Sequence, residues 1–361
     1  MNFHQIVVTA APGDAITNQA FEIDALMSGV SNSGIFALNI HPDVADRVQP
    51  LHALRHSNDA NMANDLILFH VSIGSPTVTN FVLQRPERLM ISYHNISPAE
   101  PFLGFDPAFA GLLASGRTEL ASLVTRCEFA ITESHYNAKE LIDLGFSDVR
   151  VVPLIIDLSA LKSVEPSEGT LNHFRQVVTG PVLLFVGQLL PHKRPDLLLE
   201  AYYALSTSIL PEANLVMVGA PRLPLYRDYL QDFIYELNMK NAGIFGAATD
   251  AELVALFNVA DAFVTLSEHE GYCVPLVEAM GFELPIVARD CGAVGETLGG
   301  AGVLLPPEPD PLLAAEAMAE VLTNDALRQE LITRGRARHN EINPDLARAQ
   351  TLDAILEVAA P

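Results

Sequence analysis

Glu270 and Glu278 stand eight positions apart in the run VTLSEHEGYCVPLVE. An apolar strand pattern ends at Ser267, and a polar turn with Glu268, His269 and Glu270 follows. Gly271 gives that turn backbone freedom. Pro275 suits the first position of a helix, where a missing N–H costs nothing, and Glu278 is expected in that helix's first turn. The spacing therefore predicts two carboxylates at the carboxyl end of a strand, beside a helix N-terminus. Open α/β sheets hold their ligands at such corners. The helix N-terminus takes phosphate, and the carboxylates accept hydrogen bonds from sugar hydroxyls. The chemistry implied is nucleotide-sugar binding. Taken alone, Glu278 equally suits a helix-dipole partner.

A cation for the phosphates is available at Lys193, in the loop GQLLPHKRPD after the strand-like PVLLFVG. It could neutralise a departing diphosphate; the alternative is a solvated surface lysine. Gly13 follows the first apolar run, where a glycine lets backbone approach a ligand, though any tight turn also favours one. His94 ends LMISYHN and His70 ends LILFH, so both should sit at carboxyl strand ends. Each could bond a sugar hydroxyl or shuttle a proton, or simply be a satisfied structural histidine. The chain shows no G-x-G-x-x-G fingerprint, no P-loop and no G-x-S-x-G elbow. Its histidines lack metal-ligand spacing, so neither a metal site nor a dinucleotide cofactor is expected.

The elements that must position these residues alternate strand and helix. Strand patterns are HQIVVTA, SGIFALNI, LILFHVS, LMISYHN, EFAITES and VRVVPLI, then PVLLFVG, NLVMVG, AGIFG, DAFVTLS, PIVARD and GVLLP. Helical patterns include 18–28, 109–125, 194–205, 226–237, 250–259, 274–281, 311–324 and 346–358. Alternation of this kind implies parallel sheets with right-handed crossovers. The pattern loosens over 157–180, which reads as an interdomain stretch. The fold class predicted is α/β, with two Rossmann-like domains facing a cleft. Segment 97–114 could border an acceptor site or present an apolar patch, with core packing the preferred reading.

Composition bounds the partners. The chain has 361 residues, 49% hydrophobic and 18% charged, enough for two packed cores. Its formal net charge of −23 should repel nucleic acid and disfavour an anionic membrane surface. The three cysteines are too few and scattered for a disulfide framework. With no basic leader and no long apolar run, a cytoplasmic protein is expected.

Taken together, these segments resemble the retaining glycosyltransferases of the family 4 type, which have the GT-B fold. The likeness rests on FVGQLLPHKRPDLLLEA, NLVMVG, GAATDAELVALFNVADAFVTLSEHEGYCVPLVEAM and PIVARDCGAVGE, with Glu270 and Glu278 at the spacing of the E-x7-E motif. In the first half it rests on YHNISP and ITESHYNAKELIDLG. The resemblance implies an acceptor-side domain over 1–160, a donor domain over 161–343, and a terminal helix over 344–361 returning to the first domain. It implies that Glu278 binds the donor's ribose, that Glu270 faces the transferred sugar, and that Lys193 stabilises the diphosphate. Backbone near Val274, Pro275 and Leu276 would hold phosphate or sugar. His94 would contact the sugar, and Gly13 would approach the diphosphate. Where the family has arginine five positions before the lysine, this chain has Gln188, which can bond a phosphate but brings no charge.

The expected activity is retaining transfer of a hexosyl group from a UDP- or GDP-sugar to a hydroxyl acceptor such as a glycan or small glycoside, without a metal. Two other readings stay open. One is a same-fold enzyme such as a nucleotide-sugar epimerase or glycoside phosphorylase. The other is a non-catalytic sugar-binding protein.

Overall fold

The computed structural model describes residues 2–54 and 65–359. They fall into two compact units. One gathers Met1–Glu100, Pro107–Ile155 and Asn343–Pro361; the other gathers Pro101–Asp106 and Ile156–Ile342.

The first unit holds β1 (Asn2–Ala10), α1 (Ala15–Met27), β2 (Asn32–Ile40), β3 (Val48–Pro50), β4 (Leu66–Val71), α2 (Pro76–Leu83), β5 (Arg88–Tyr93), α3 (Pro107–Leu123), β6 (Phe129–Thr132), α4 (His135–Leu144) and β7 (Val149–Val151). Its sheet runs β3-β2-β1-β4-β5-β6-β7, and every pairing is parallel. All six residues of β4, LILFHV, are buried. Such continuously buried, mainly apolar runs are what a parallel sheet covered on both faces requires. Chain order reverses between β1 and β4, so the crevice outside their carboxyl ends is this sheet's ligand position.

The second unit holds α5 (Ser159–Lys162), α6 (Glu168–Val177), β8 (Val182–Val186), α7 (Pro195–Ser208), β9 (Asn214–Val218), α8 (Pro224–Glu236), β10 (Ala242–Gly246), α9 (Asp250–Val259), β11 (Ala262–Thr265), α10 (Val274–Gly281), β12 (Ile286–Arg289), α11 (Val294–Leu298), β13 (Val303–Leu305), α12 (Pro311–Thr323) and α13 (Asp325–Glu341). The sheet order is β10-β9-β8-β11-β12-β13, again all parallel. Its switch point lies between β8 and β11. Each unit is thus a Rossmann-like α/β layer structure.

Two features depart from the sequence reading. Segment 157–180 is not a loose connection: it contains α5 and α6, within the second unit. Ser167 caps α6 by accepting from Thr170 N at 3.2 Å, and the helix buries only Leu171 and Phe174, too thin a stripe to stand out in a polar sequence. Pro101–Asp106, inside the stretch read as the first domain, cluster with the second unit; Phe102 is fully buried there and Phe105 meets the Tyr226 ring at 4.8 Å between centroids. The last helix, α14 (Pro344–Ala359), belongs to the first unit, where Ala354 and Ile355 share a core with Phe3, Ile23 and Leu68. Among the described residues no helix is long and apolar enough to cross a membrane.

Candidate functional site

The loops after β8 and β11 meet at the switch point of the second sheet. Lys193 follows β8 in a short 3-10 turn, and its Nζ lies 2.6 Å from Glu270 Oε2. Glu270 is 6% exposed. Burial alone would lower the Lys193 ammonium; Glu270 outweighs it and holds the pKa above its ordinary value. The two loops are also tied through backbone, since Glu268 N donates to His192 O at 2.9 Å. The β12 loop clamps Glu270 from the other side. Ala293 N donates to Glu270 O at 2.9 Å. A Cβ on Gly292, where φ is +52°, would come within 2.1 Å of that same oxygen, so only glycine fits. Gly292 lies in PIVARDCGAVGE, yet nothing in its sequence position marks it as the support for Glu270.

Glu278 is the fifth residue of α10, so it opens the second turn and not the first. The helix starts one residue before Pro275, at Val274, because Cys273 takes the left-handed cap position (φ 73°). Burial pushes the Glu278 carboxyl up to about 7. Its side chain makes no hydrogen bond to another described residue. It is therefore a shielded acceptor with its lone pairs unengaged. The expected backbone donors at the same corner narrow to one. Pro275 has no N–H, and Leu276 N already donates to Cys273 O at 3.0 Å, which leaves Val274 N. Cys273 itself is buried, and burial, then Glu270, push its thiol well above the ordinary range, so it is no thiolate nucleophile.

Arg194 turns away from Lys193. It stands in the left-handed region (φ 50°) and pairs with Asp196 at 3.1 Å and Glu268 at 3.4 Å. Tyr226 OH also donates to Asp196 at 3.0 Å. This cluster borders a pocket of about 340 Å³ walled by Phe105, Tyr226 and Tyr229, which Lys193 and Glu270 do not line. Gln188 accepts a hydrogen bond from Arg222 Nη1 at 3.3 Å.

In the first unit, His70 and His94 come together at the carboxyl ends of β4 and β5. Gln5 Nε2 donates to Ala20 O at 2.9 Å, which fixes the amide orientation. Its Oε1 faces His70 Nε2 at 3.0 Å, so that nitrogen carries the proton. His70 Nδ1 is then bare and accepts from His94 Nε2–H at 2.9 Å, with Ser92 Oγ a second neighbour at 3.2 Å. His94 is left with an unprotonated Nδ1, whose nearest charged-type neighbour is Glu133 at 3.8 Å. Burial lowers His94 to about 4 and raises Glu133 to about 8, so both are neutral at pH 7. His70, readable as merely structural, is the group that sets the tautomer of His94. The loop beyond is held by Asn95 Nδ2 donating to Asn137 Oδ1 at 2.6 Å and Arg117 Nη2 donating to Ile96 O at 2.7 Å.

Gly13 lies between β1 and α1 at φ +70°, and a Cβ there would meet nothing within 4 Å. The backbone angle, not crowding, selects glycine. Asp14 caps α1 by accepting from Thr17 N at 2.9 Å, which puts a carboxylate beside Gly13. Among the described residues no group of three or more His, Cys, Asp or Glu side chains is placed to hold a metal ion.

Residues 172–338 match the model of the family described as glycosyl transferases group 1. The matched residues lie within the second unit. Over 176 residues the chain is 26% identical to the O-antigen chain mannosyltransferase B of Escherichia coli, covering 47% of this chain and 44% of that protein. The chain spans about half the length of the curated relatives it matches. Among solved structures it is similar to sucrose-phosphate synthase from Thermosynechococcus elongatus, with TM-score 0.75 and 18% identity over 100% of both chains. It is also similar to Anabaena HepE in complex with UDP and glucose, with TM-score 0.75 and 16% identity over 99% of this chain and 100% of that one. These likenesses give the fold as GT-B.

Proposed function

We propose that this chain is a retaining glycosyltransferase of the family 4 type. It moves a hexosyl group from a nucleoside-diphosphate sugar, UDP- or GDP-linked, to a hydroxyl acceptor such as a growing glycan or a small glycoside. The observation that carries this reading is the Lys193–Glu270 pair beside the unengaged Glu278, at the switch point of a group 1 glycosyltransferase domain. The mannosyl transfer in one relative's name and the UDP and glucose bound by HepE support the donor class.

In this reading Glu278 accepts hydrogen bonds from the donor's ribose hydroxyls, which favours its ionised form. Glu270 holds the Lys193 ammonium and faces hydroxyls of the sugar. Lys193 and Val274 N–H receive charge on the diphosphate, and Gly13 supplies close backbone. His94 presents bare Nδ1 to a hydroxyl, which can donate to it, and not to a carbonyl or an anion. In the chemical step the C1–O bond to the diphosphate breaks and a bond from C1 to the acceptor oxygen forms on the same face. The acceptor's proton passes to the departing diphosphate oxygen. The protein contributes position and charge, and the reading calls for no metal or other cofactor.

The test is turnover of UDP-glucose and GDP-mannose against a panel of hydroxyl acceptors, with the product's anomeric configuration read by NMR. A retained configuration is expected. An inverted product overturns the retaining reading. Sugar phosphate formed from inorganic phosphate would make the protein a phosphorylase, and donor isomerised without acceptor would make it an epimerase.

A further inference from the structure

A diphosphate brings negative charge that the switch-point loops must offset, and most of their cations are already committed. Lys193 is paired with Glu270. Arg194 is paired with two carboxylates, Asp196 and Glu268. Arg289, the last residue of β12, donates through Nε to the neutral Pro307 O beyond β13, at the sheet edge away from the switch point, and its buried Nη1 has no partner among the described residues. Arg222 differs from Lys193 and Arg194 in its partner, and from Arg289 in its place beside the switch strand. Its bond is to the neutral Gln188 oxygen on the loop of the switch strand β8, and no described carboxylate lies within ion-pair distance.

The backbone seats it there. Gly187 N donates to Val218 O at 2.9 Å, joining the ends of β8 and β9. A Cβ on Gly219 would lie 1.8 Å from Gly187 O, so the two loops approach as closely as backbone permits. Arg222 follows three residues later, at the carboxyl end of β9, beside Gln188. A guanidinium bound only to an amide oxygen keeps its full charge and most of its donors for an anion.

We propose that Arg222, seated on Gln188 by the packed β8 and β9 loops and free of any carboxylate partner, receives the donor's diphosphate. This rests on the nucleotide-sugar reading above. Gln188 then serves as the positioning residue for a guanidinium supplied by the neighbouring loop.

The experiment titrates UDP, GDP, dTDP and ADP, and the matching nucleosides, into the whole chain by calorimetry. Wild type, Arg222→Gln, Arg222→Lys, Gln188→Ala and Arg289→Gln are compared, with ligand-free melting recorded for each. For the nucleotide that binds, Arg222→Gln should weaken affinity about tenfold or more, with the nucleoside unaffected. Arg222→Lys and Gln188→Ala should lose less, and Arg289→Gln should stay near wild type. Wild-type affinity in Arg222→Gln overturns the proposal, as does an equal loss in Arg289→Gln, which would mark general electrostatics. If wild type binds none of the four nucleotides, the nucleotide-sugar reading itself falls, and this proposal with it.

Discussion

The two sheets each reverse their chain order once, and at each reversal the loops carry polar side chains, but of opposite electrical character. At β8/β11 the groups are charged: a lysine against a carboxylate at 2.6 Å, with arginines nearby. At β1/β4 and the adjoining end of β5 they are neutral: an amide, two imidazoles and a carboxyl group kept protonated by burial. The charged set lies on loops and tolerates partial exposure, as Lys193 does at 22%. The neutral set is interior, where unpaired charge would be costly but hydrogen bonds direct one another. One architecture thus provides a site suited to anions and a site suited to hydroxyls, and the difference arises from burial as much as from residue type.

That contrast can be broken most severely at Lys193. Lys193→Ala should lower the transfer rate constant about 10²–10³-fold, measured as initial rate at saturating donor. It should also destabilise the fold by about 1–3 kcal/mol in denaturant unfolding, because Glu270 is left buried and unpaired. Adding Glu270→Ala should recover part of that stability and none of the activity.

Next is Glu278. Its folded pKa of about 7 lies above its ordinary 4.5, so its contribution to stability is full below 4.5 and lost as pH rises through 7. Binding that needs the ionised form runs the other way. Affinity for UDP-glucose or GDP-mannose, whose diphosphates have no proton to lose there, should rise between pH 6 and 8. In Glu278→Gln it should be weaker and flat with pH. A wild-type profile that is already flat would remove the ribose assignment.

A smaller effect is expected in the neutral set. Gln5→Leu strips the acceptor from His70 Nε2–H and the donor from Ala20 O, costing about 1–3 kcal/mol. Its sharper readout is the ¹⁵N spectrum of His94, which should show Nε2–H alone in the wild type and a tautomer mixture in the variant. Smallest is the pH response of Glu133, whose folded pKa of about 8 also lies above its ordinary value. Its stabilising contribution fades as pH climbs from 4.5 through 8, so Glu133→Gln should flatten the fall in melting temperature over the upper part of that window.

The parallel α/β alternation was legible because buried strands such as VLLFV are unbroken apolar runs, and helices such as Asp250–Val259 begin at clear cap signals. The thin stripe of α6 was not. In the site, residue types were readable and partners were not. Lys193 meets Glu270 across 77 positions, Arg222 meets Gln188 across 34, and His70 meets Gln5 across 65. Strand order decides those meetings, and no local pattern encodes it. The turn at Cys273 shows a second limit: with no glycine to mark that left-handed position, the helix starts one residue before the Pro275 signal suggested, and Glu278 falls just past the first turn.

The placement of α14 has a consequence for how the chain comes into being. Residues 156–342 of the second unit are contiguous, whereas the first unit draws part of its core from Ala354 and Ile355. During synthesis the earlier-made unit must therefore wait, with Phe3, Ile23 and Leu68 incompletely covered, until Ala354 and Ile355 have left the ribosome. The later-made unit needs little more than its own stretch of sequence to close. A chain cut after Ile342 should accordingly lose the order of its beginning, far away in sequence, before that of the segment next to the cut.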